Sequence, residues 1–370
     1  MIRKAGLRET RLGGVLMLDF KIFSGSKKLV GLDIGSSSLK LAEVISSSHG
    51  YVLNRFLQIP LSKGIINEGI LTDARELSLK IKELFRNSGC QRRGIVTSLS
   101  GNSVIVKKVT FAQMEETELR DLIRDEAGKY LPFDNMDDVN YDFQILGTNE
   151  FNPNQMDVII VAAKKDIVNS YLDALLGAGL NVMIMDVDSF ALETMYEANY
   201  EYADNEIVVI VNIGASITNI NVIKVGMSIF TRDFTLGGNS ITEALQGKYN
   251  ITFEEAEKKK LECLSDNVEL RDSILDFAEP ICSEIERSID YFRSTFGGEY
   301  IKHVLLSGGS ARISGLATTF SQRLNIETEI INPFLKIGYN KRNIDAKTLD
   351  NIKPIVAVAM GLGLRKMDDK

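Results

Sequence analysis

A carboxylate ahead of a glycine turn and an ammonium behind it, Asp33-x-Gly35-x-x-x-x-Lys40, suits a phosphate chain. Phosphates carry dense negative charge, and backbone N–H groups in a tight Gly/Ser turn converge on them where a Cβ would block the approach. The turn residues are Gly35, Ser36, Ser37 and Ser38. The same residues also make an ordinary hairpin turn with Asp33 as its capping side chain, so one turn alone decides nothing. A second turn of similar design comes much later, Asn212-x-Gly214-x-x-x-Thr218, with Ala215 and Ser216 inside it. Two such turns, one in each half of the chain, would grip one triphosphate from opposite sides. A third, Ser307-Gly308-Gly309-Ser310, runs from an apolar stretch into a helical one. There flexible backbone can lie against a flat base or ribose, and a helix N-terminus favours negative charge. A plain helix N-cap turn also fits it.

Side chains for other chemistries are scarce. His49 and His303 are far apart and sit in no HExxH-like pattern, which leaves them structural or solvated. Cys90, Cys263 and Cys282 are odd in number and lack CxxC spacing, against both a disulfide framework and a zinc site and in favour of a reducing compartment. With 370 residues, 44% hydrophobic, 25% charged and a formal charge of −7, the chain has material for more than one domain and no global basic excess for nucleic acid. Its best apolar run, 355–364, is about half of the roughly 18–20 residues that cross a bilayer. The Lys/Arg-rich segment 1–27 lacks the apolar core and cleavage site of a secretory signal and is expected to be a disordered extension. Met17 offers an alternative start, and Phe20, Ile22 and Phe23 beside lysines allow a second reading as a weak membrane-surface contact.

The elements that must carry the turns can be read from periodicity. Residues 28–44 read as a hairpin around the Gly35 turn and 51–59 as a third strand. Residues 73–87 place Leu77, Ile81, Leu84 and Phe85 on one helical face, with Asp73 as its cap. Two β-rich stretches flank Ser100-Gly-Asn; a helix over 115–130 and strands over 139–146 and 156–163 follow, a strand–helix–strand–strand module with its own small core. Helix, short buried strand and helix then lead to 206–235, where strand, glycine turn, strand, strand repeats the opening design. Helices are expected at 238–249, 253–262 and 267–296, the last as one long amphipathic helix. A buried strand at 300–306 enters the Gly308 turn, and a final helix covers 355–364.

This order of motifs resembles the actin, hexokinase and heat-shock chaperone superfamily from Leu29 onward. Asp33, Gly35 and Lys40 match its first phosphate motif, Gly214 and Thr218 its second, and Gly308-Gly309 its adenosine motif. The implied fold class is α/β: a two-lobed actin-like (ribonuclease H-like) nucleotide-binding fold with a strand–helix–strand–strand subdomain inserted in the first lobe. The resemblance implies ATP and Mg²⁺ as cofactors, with Asp33 holding the metal through water and Lys40 reaching the phosphates. It implies Glu257 and Lys260 on a helix beside ribose or adenine, although that stretch also reads as a charged, solvated face. Gly238 and Ser310 are counted with the nucleotide contacts, and Asp188 falls where the superfamily keeps a polar residue near the attacking water. Asn212 departs from the usual Asp: an amide neither acts as a base nor adds charge to a metal shell, so binding should survive better than hydrolysis.

The module in the first lobe narrows the resemblance to the FtsA and PilM families. The phrases Leu29-Val-Gly-Leu-Asp-Ile-Gly-Ser-Ser-Ser-Leu-Lys, Lys129-Tyr-Leu-Pro-Phe, Tyr141-Asp-Phe, Met185-Asp-Val-Asp-Ser-Phe-Ala-Leu and Phe234-Thr-Leu-Gly-Gly-Asn resemble the PilM family of type IV pilus assembly most closely. That resemblance implies a cytoplasmic scaffold, peripheral to the inner membrane through its partners. It would bind ATP with weak or no turnover, capture the N-terminal cytoplasmic tail of PilN between first lobe and insertion, and join it to other platform and motor proteins. Leu131, Pro132 and Phe133 are the expected groove residues; a helix stop and a core Phe are their alternative reading. The domains expected are 28–93 with 182–203 as first lobe, 94–181 as insertion, 204–236 with 300–370 as second lobe, and 237–299 as its helical subdomain. The rivals are an FtsA-like cell-division protein, which would need a terminal amphipathic helix, and a small-molecule kinase, for which only Asp188 or Asp186 offers a base.

Overall fold

The computed structural model describes residues 29–48, 50–203, 206–263, 267–296 and 300–367. His49 and the expected extension 1–27, with Met17, Phe20, Ile22 and Phe23, lie outside the described residues. Strands β1 (Val30–Ile34), β2 (Ser38–Ser47) and β3 (Gly50–Pro60) form an antiparallel meander. A two-residue hairpin, β4 (Ile66–Asn67) and β5 (Ile70–Leu71), leads to helix α1 (Ala74–Ser88). Asp73 caps α1 by accepting from the Glu76 amide at 2.9 Å, and Gly89 ends it at φ 65°. Strand β6 (Gly94–Leu99) then runs parallel to β1. Strand β7 (Ile105–Ala112), helix α2 (Glu116–Tyr130), and strands β8 (Val139–Thr148) and β9 (Gln155–Lys164) follow as a separate antiparallel sheet in the order β7-β9-β8. Its core holds Leu119, Ile123, Val158 and Ile160. Helix α3 (Lys165–Gly177) returns the chain to β10 (Asn181–Val187), parallel to β6, and α4 (Asp188–Asn199) leaves for the second half.

The second half repeats the plan. Strands β11 (Ile207–Ile213), β12 (Thr218–Lys224) and β13 (Met227–Phe234) form an antiparallel meander. Helices α5 (Gly238–Tyr249), α6 (Phe253–Glu262), α7 (Val268–Phe277) and α8 (Glu279–Thr295) intervene. Strand β14 (Ile301–Ser307) pairs parallel with β11, and after α9 (Leu316–Leu324) strand β15 (Glu327–Ile330) pairs parallel with β14. Strand β16 (Gly338–Tyr339) crosses back to pair with β3, and α10 (Leu349–Leu364) is the last helix. Both large sheets thus contain a three-strand meander extended by parallel strands from its first member, and β16 adds one more beside the last member of the first meander.

Both faces of the first sheet are covered, which is why its strands read as nearly unbroken apolar runs. Val30, Leu32, Leu39 and Leu41 face α1 and α3, whereas Ala42 and Val44 face α4 and α10. The second sheet does likewise: Val209, Val211, Ile220 and Val222 face α5 and α8, and Val208, Ile210 and Ile223 join Ala42 and Val44 around α4 and α10. One core is therefore shared by the two sheets. Backbones meet closely there: a Cβ on Gly361 would lie 1.8 Å from Ala191 O, and one on Gly31 would lie 2.0 Å from Ala359 O. Among the described residues no helix is long and apolar enough to cross a membrane.

Three placements differ from expectation. The helix expected over 267–296 is two, α7 and α8, because Pro280 lacks an amide hydrogen and fits only a first turn. Strand β6, expected in the insertion 94–181, lies inside the first sheet, and α3 packs with α1 beneath it. Apolar content alone does not name a strand's neighbour. Helix α10, expected with 300–370 in the second lobe, packs chiefly on α4, β1 and β2, since Gly31, Gly361 and Gly363 permit that close approach.

Candidate functional site

The ends of β1 and β11 point at one another across a cavity of about 540 Å³. That is within the range of small-molecule and cofactor sites. At its first wall Asp33 and Lys40 are directly paired on β1 and β2, and the Lys40 Nζ lies 2.9 Å from Asp33 Oδ2. The turn between them closes with the Gly35 amide on Ser38 O at 3.1 Å. A Cβ on Gly35 would stand 3.2 Å from Ser38 O, a tight approach to the turn's own backbone, with Lys40 Nζ at 3.4 Å and Asp33 Oδ1 at 3.9 Å around it. Ser36, Ser37 and Ser38 line the cavity with them, and Gln58 Nε2 donates to Ser38 Oγ at 2.9 Å.

The opposite wall is the second turn. Gly214 N donates to Ile217 O at 2.9 Å, and the amides of Gly238 and Asn239 at the start of α5 donate to Gly214 O and Ala215 O, both at 2.8 Å. Backbone closes position 237 to a side chain, since a Cβ there would lie 2.7 Å from both Gly214 O and Ala215 O, whereas one on Gly238 would meet the Ser310 hydroxyl. Asn212, Gly214, Ala215 and Gly238 all line the cavity. The third turn completes it with Gly308, Gly309 and Ser310. Gly308 sits at φ 90° with its amide on Pro354 O at 2.8 Å, and a Cβ would lie 2.3 Å from Ile213 O.

Glu257 and Lys260 line the same cavity, and the charged, solvated face expected of their helix lies away from it. Glu254, Lys258, Lys259 and Glu262 are exposed, whereas Lys260 is 3% exposed and bonds Glu257 at 2.7 Å, Gly238 O at 2.8 Å and Thr242 Oγ1 at 2.8 Å. Burial lowers the Lys260 pKa, and the Glu257 carboxylate works against that. Asp188 stands at the cavity floor, its Oδ1 accepting from Ser98 Oγ at 2.5 Å. Burial raises its pKa well above the usual carboxylate range, the charge of Asp33 adds to this, and the Ser98 and Ser100 hydroxyls oppose it. At the mouth, Lys63 reaches Glu243 at 3.0 Å and covers the Phe253 ring at 4.6 Å, tying the loop after β3 to α5 and α6.

Two expected contacts do not line the cavity. Thr218 is wholly buried and its hydroxyl donates to Leu236 O at 2.7 Å; it lies opposite Ile213 and so shares the core face of the strand. Ser216 bonds Asn239 Nδ2 at 3.2 Å. The cleft-facing neighbour is Asn219, opposite Asn212, and Asn212 Nδ2 donates to its Oδ1 at 3.0 Å. Gln58, Ser98, Tyr171, Asn219, Asn239 and Arg312 line the cavity without having been expected. Asn219 owes its place to the cross-strand pairing with Asn212, and Arg312 is three residues past Gly309; the others come from distant segments.

A second cavity of about 370 Å³ opens on the inserted sheet between the start of β7 and the end of α2, lined by Ile105, Val106, Lys107, Lys129, Tyr130, Leu131 and Pro132. Lys107 Nζ holds Tyr130 O at 2.7 Å. Of the expected groove residues, Leu131 is mostly in the insertion core, Pro132 is exposed at the cavity, and Phe133 packs against the core beside it.

Comparison with known proteins supplies two likenesses and a family match. The family described as type IV pilus assembly protein PilM matches residues 31–367. A solved PilM-PilN type IV pilus biogenesis complex is 29% identical, with a TM-score of 0.83 over 93% of this chain and 100% of that one. The ethanolamine utilization protein EutJ from Carboxydothermus hydrogenoformans is 18% identical, with a TM-score of 0.55 over 93% of this chain and 90% of that one, a likeness of fold. The α/β fold is thus the two-lobed actin-like one.

Proposed function

The chain belongs to the type IV pilus assembly protein PilM family, and we propose that it is an ATP-binding scaffold at the cytoplasmic face of the pilus inner-membrane platform. It would hold the N-terminal cytoplasmic tail of PilN and join it to the motor side. The observation that carries the nucleotide half is that the Gly35, Gly214 and Gly308 turns, from both halves, line one cavity with Asp33 and Lys40. The triphosphate would lie between the first two turns and the nucleoside along Gly308–Ser310, Glu257 and Lys260. Mg²⁺, when bound, neutralises phosphate charge, and Asp33 would hold it through water. Asp188 is the carboxylate placed to orient a water. With Asn212 adding no charge to the metal shell, turnover should be slow or undetectable.

The groove supports the partner half. Strand β7 is an edge of its sheet, so an extended peptide can add backbone hydrogen bonds beside it while Val106, Tyr130 and Pro132 take apolar side chains. The 29% identical relative was solved as a complex with PilN, and the same partner is proposed here. Val106→Asp places a charge in the groove without entering the insertion core. Titration calorimetry with a PilN-tail peptide should show binding weakened by about tenfold or more, with ATP affinity unchanged. Equal peptide affinity in that variant would remove the groove from the reading.

Thr218 distinguishes a core role from a ligand contact. Thr218→Val keeps the shape and strands the Leu236 carbonyl, costing about 1–2 kcal/mol in urea unfolding. Affinity for MgATP should stay within about twofold of the parent, as expected of a side chain behind the turn. A tenfold loss of affinity would instead make Thr218 a phosphate contact.

A further inference from the structure

The second phosphate turn is connected to the root of the insertion by a row of three side chains. Asn212 on β11 lies opposite Asn219 on β12, and Asn219 lies opposite Asp233 on β13. Directly opposed residues in an antiparallel sheet share a face, so the three form one rung. Asn212 donates to Asn219 at 3.0 Å, and Asn219 stands directly opposite Asp233 on the same face. Asp233 Oδ2 then accepts from the Gly101 amide at 2.6 Å. Gly101 opens the short helical turn Gly101–Ser103 that joins β6 to β7. It sits at φ 62°, and a Cβ there would lie 2.3 Å from Ile217 Cδ1, inside the second phosphate turn.

The same short segment touches both cavities. Before the turn, Ser98 donates to Asp188 at the floor of the cleft and Ser100 lines the same cavity. After it, Ile105, Val106 and Lys107 line the groove on the inserted sheet. The turn is also held from the first half, with Asn102 N on Glu68 O at 3.3 Å and Asn102 Nδ2 on Glu68 Oε2 at 2.9 Å. A shift of the second phosphate turn relative to the first sheet must therefore either strain the Asp233–Gly101 contact or carry the β7 root with it.

We propose that Asp233 is a positioning residue that couples the two sites: ligand at Asn212 and Gly214 sets the rung, and Asp233, through Gly101, sets the start of β7 and hence the groove. This rests on the reading of the cleft as a nucleotide site and the groove as a peptide site. Coupling of this kind is reciprocal, so MgATP and peptide must change each other's affinity by one common factor.

The experiment measures that factor by calorimetry with the full chain, MgATP and a synthetic PilN-tail peptide. The parent protein should show a factor of about five or more in both directions of titration. Asp233→Asn, which removes the charge and one of the two acceptor oxygens set between Asn219 and Gly101, should bind each ligand alone within about threefold of the parent while the factor falls to about one. Loss of packing alone would change the separate affinities and not cancel their mutual effect. In the parent itself, amide exchange across 101–107 should slow on adding MgATP, a readout that needs no variant to fold. An undiminished factor in Asp233→Asn, or unchanged exchange across 101–107, overturns the coupling role. Binding of both ligands with no mutual effect in the parent overturns the coupling and leaves the two sites standing. Failure of the parent to bind MgATP or peptide overturns the underlying reading instead.

Discussion

Replacing Asp33 by alanine should reduce the affinity for ATP about 100-fold or more in the presence of Mg²⁺, and by little or nothing in EDTA. The carboxylate is 7% exposed and forms an ion pair with Lys40 at 2.9 Å. A carboxylate this near the phosphate turn repels a metal-free triphosphate, so its removal cannot by itself weaken ATP binding through charge. It favours binding only by holding the hydrated cation, and losing a desolvated charge contact of that kind costs roughly 2–5 kcal/mol. At 1.4 kcal/mol per tenfold, about 100-fold corresponds to about 2.8 kcal/mol, inside that range. Calorimetry with MgATP and with ATP plus EDTA separates the two cases. Equal losses in both would mean that Asp33 shapes the turn and does not anchor a metal; no loss in either would take it out of the site.

The second large effect concerns the shared core. Gly361→Val should destabilise the protein by about 4 kcal/mol or more, read as a fall in the urea midpoint. The added Cβ would stand 1.8 Å from the Ala191 carbonyl oxygen, and backbone cannot escape by changing rotamer. Helix α10 would have to lift away from α4, uncovering Val356, Met360 and Leu362 on a core that both sheets use. Gly247→Ala on α5 is the matched control: open space surrounds it, and a helix-interior alanine should stabilise by about 0.5–1 kcal/mol. A parental midpoint for Gly361→Val would contradict the close packing of the two helices.

The sequence announced the site more fully than its surroundings, for a physical reason. The glycine turns are local: Gly35, Gly214 and Gly308 each sit within a few residues of a strand end, so spacing alone exposes them. Register is less local. Thr218 and Asn219 are adjacent, and only the pairing of Ile213 with Thr218 sends the first into the core and the second to the cleft. Lys260 and Lys259 are likewise adjacent on α6, one buried against Glu257 and Gly238 and the other exposed. Gln58, Ser98 and Tyr171 reach the cavity from β3, β6 and α3, and their positions depend on strand order, which no single segment encodes. The same holds for the place of β6: its apolar content marked a strand, and its parallel pairing with β1 made it part of the first sheet. The Asp233 rung is invisible in sequence because its three members are separated by turns and meet only across a sheet.

The contact of α10 with β1 bears on how the molecule is made. Among the described elements β1 leaves the ribosome first and α10 last, yet Gly31 receives the backbone of α10 at Ala359. One face of the earliest sheet, with Ala42 and Val44, therefore lacks its α10 cover until that helix is made, an exposed apolar surface of the kind that chaperones shield. The first half therefore cannot complete its own packing: the seam beside β1 closes only once α10 is available to enter it.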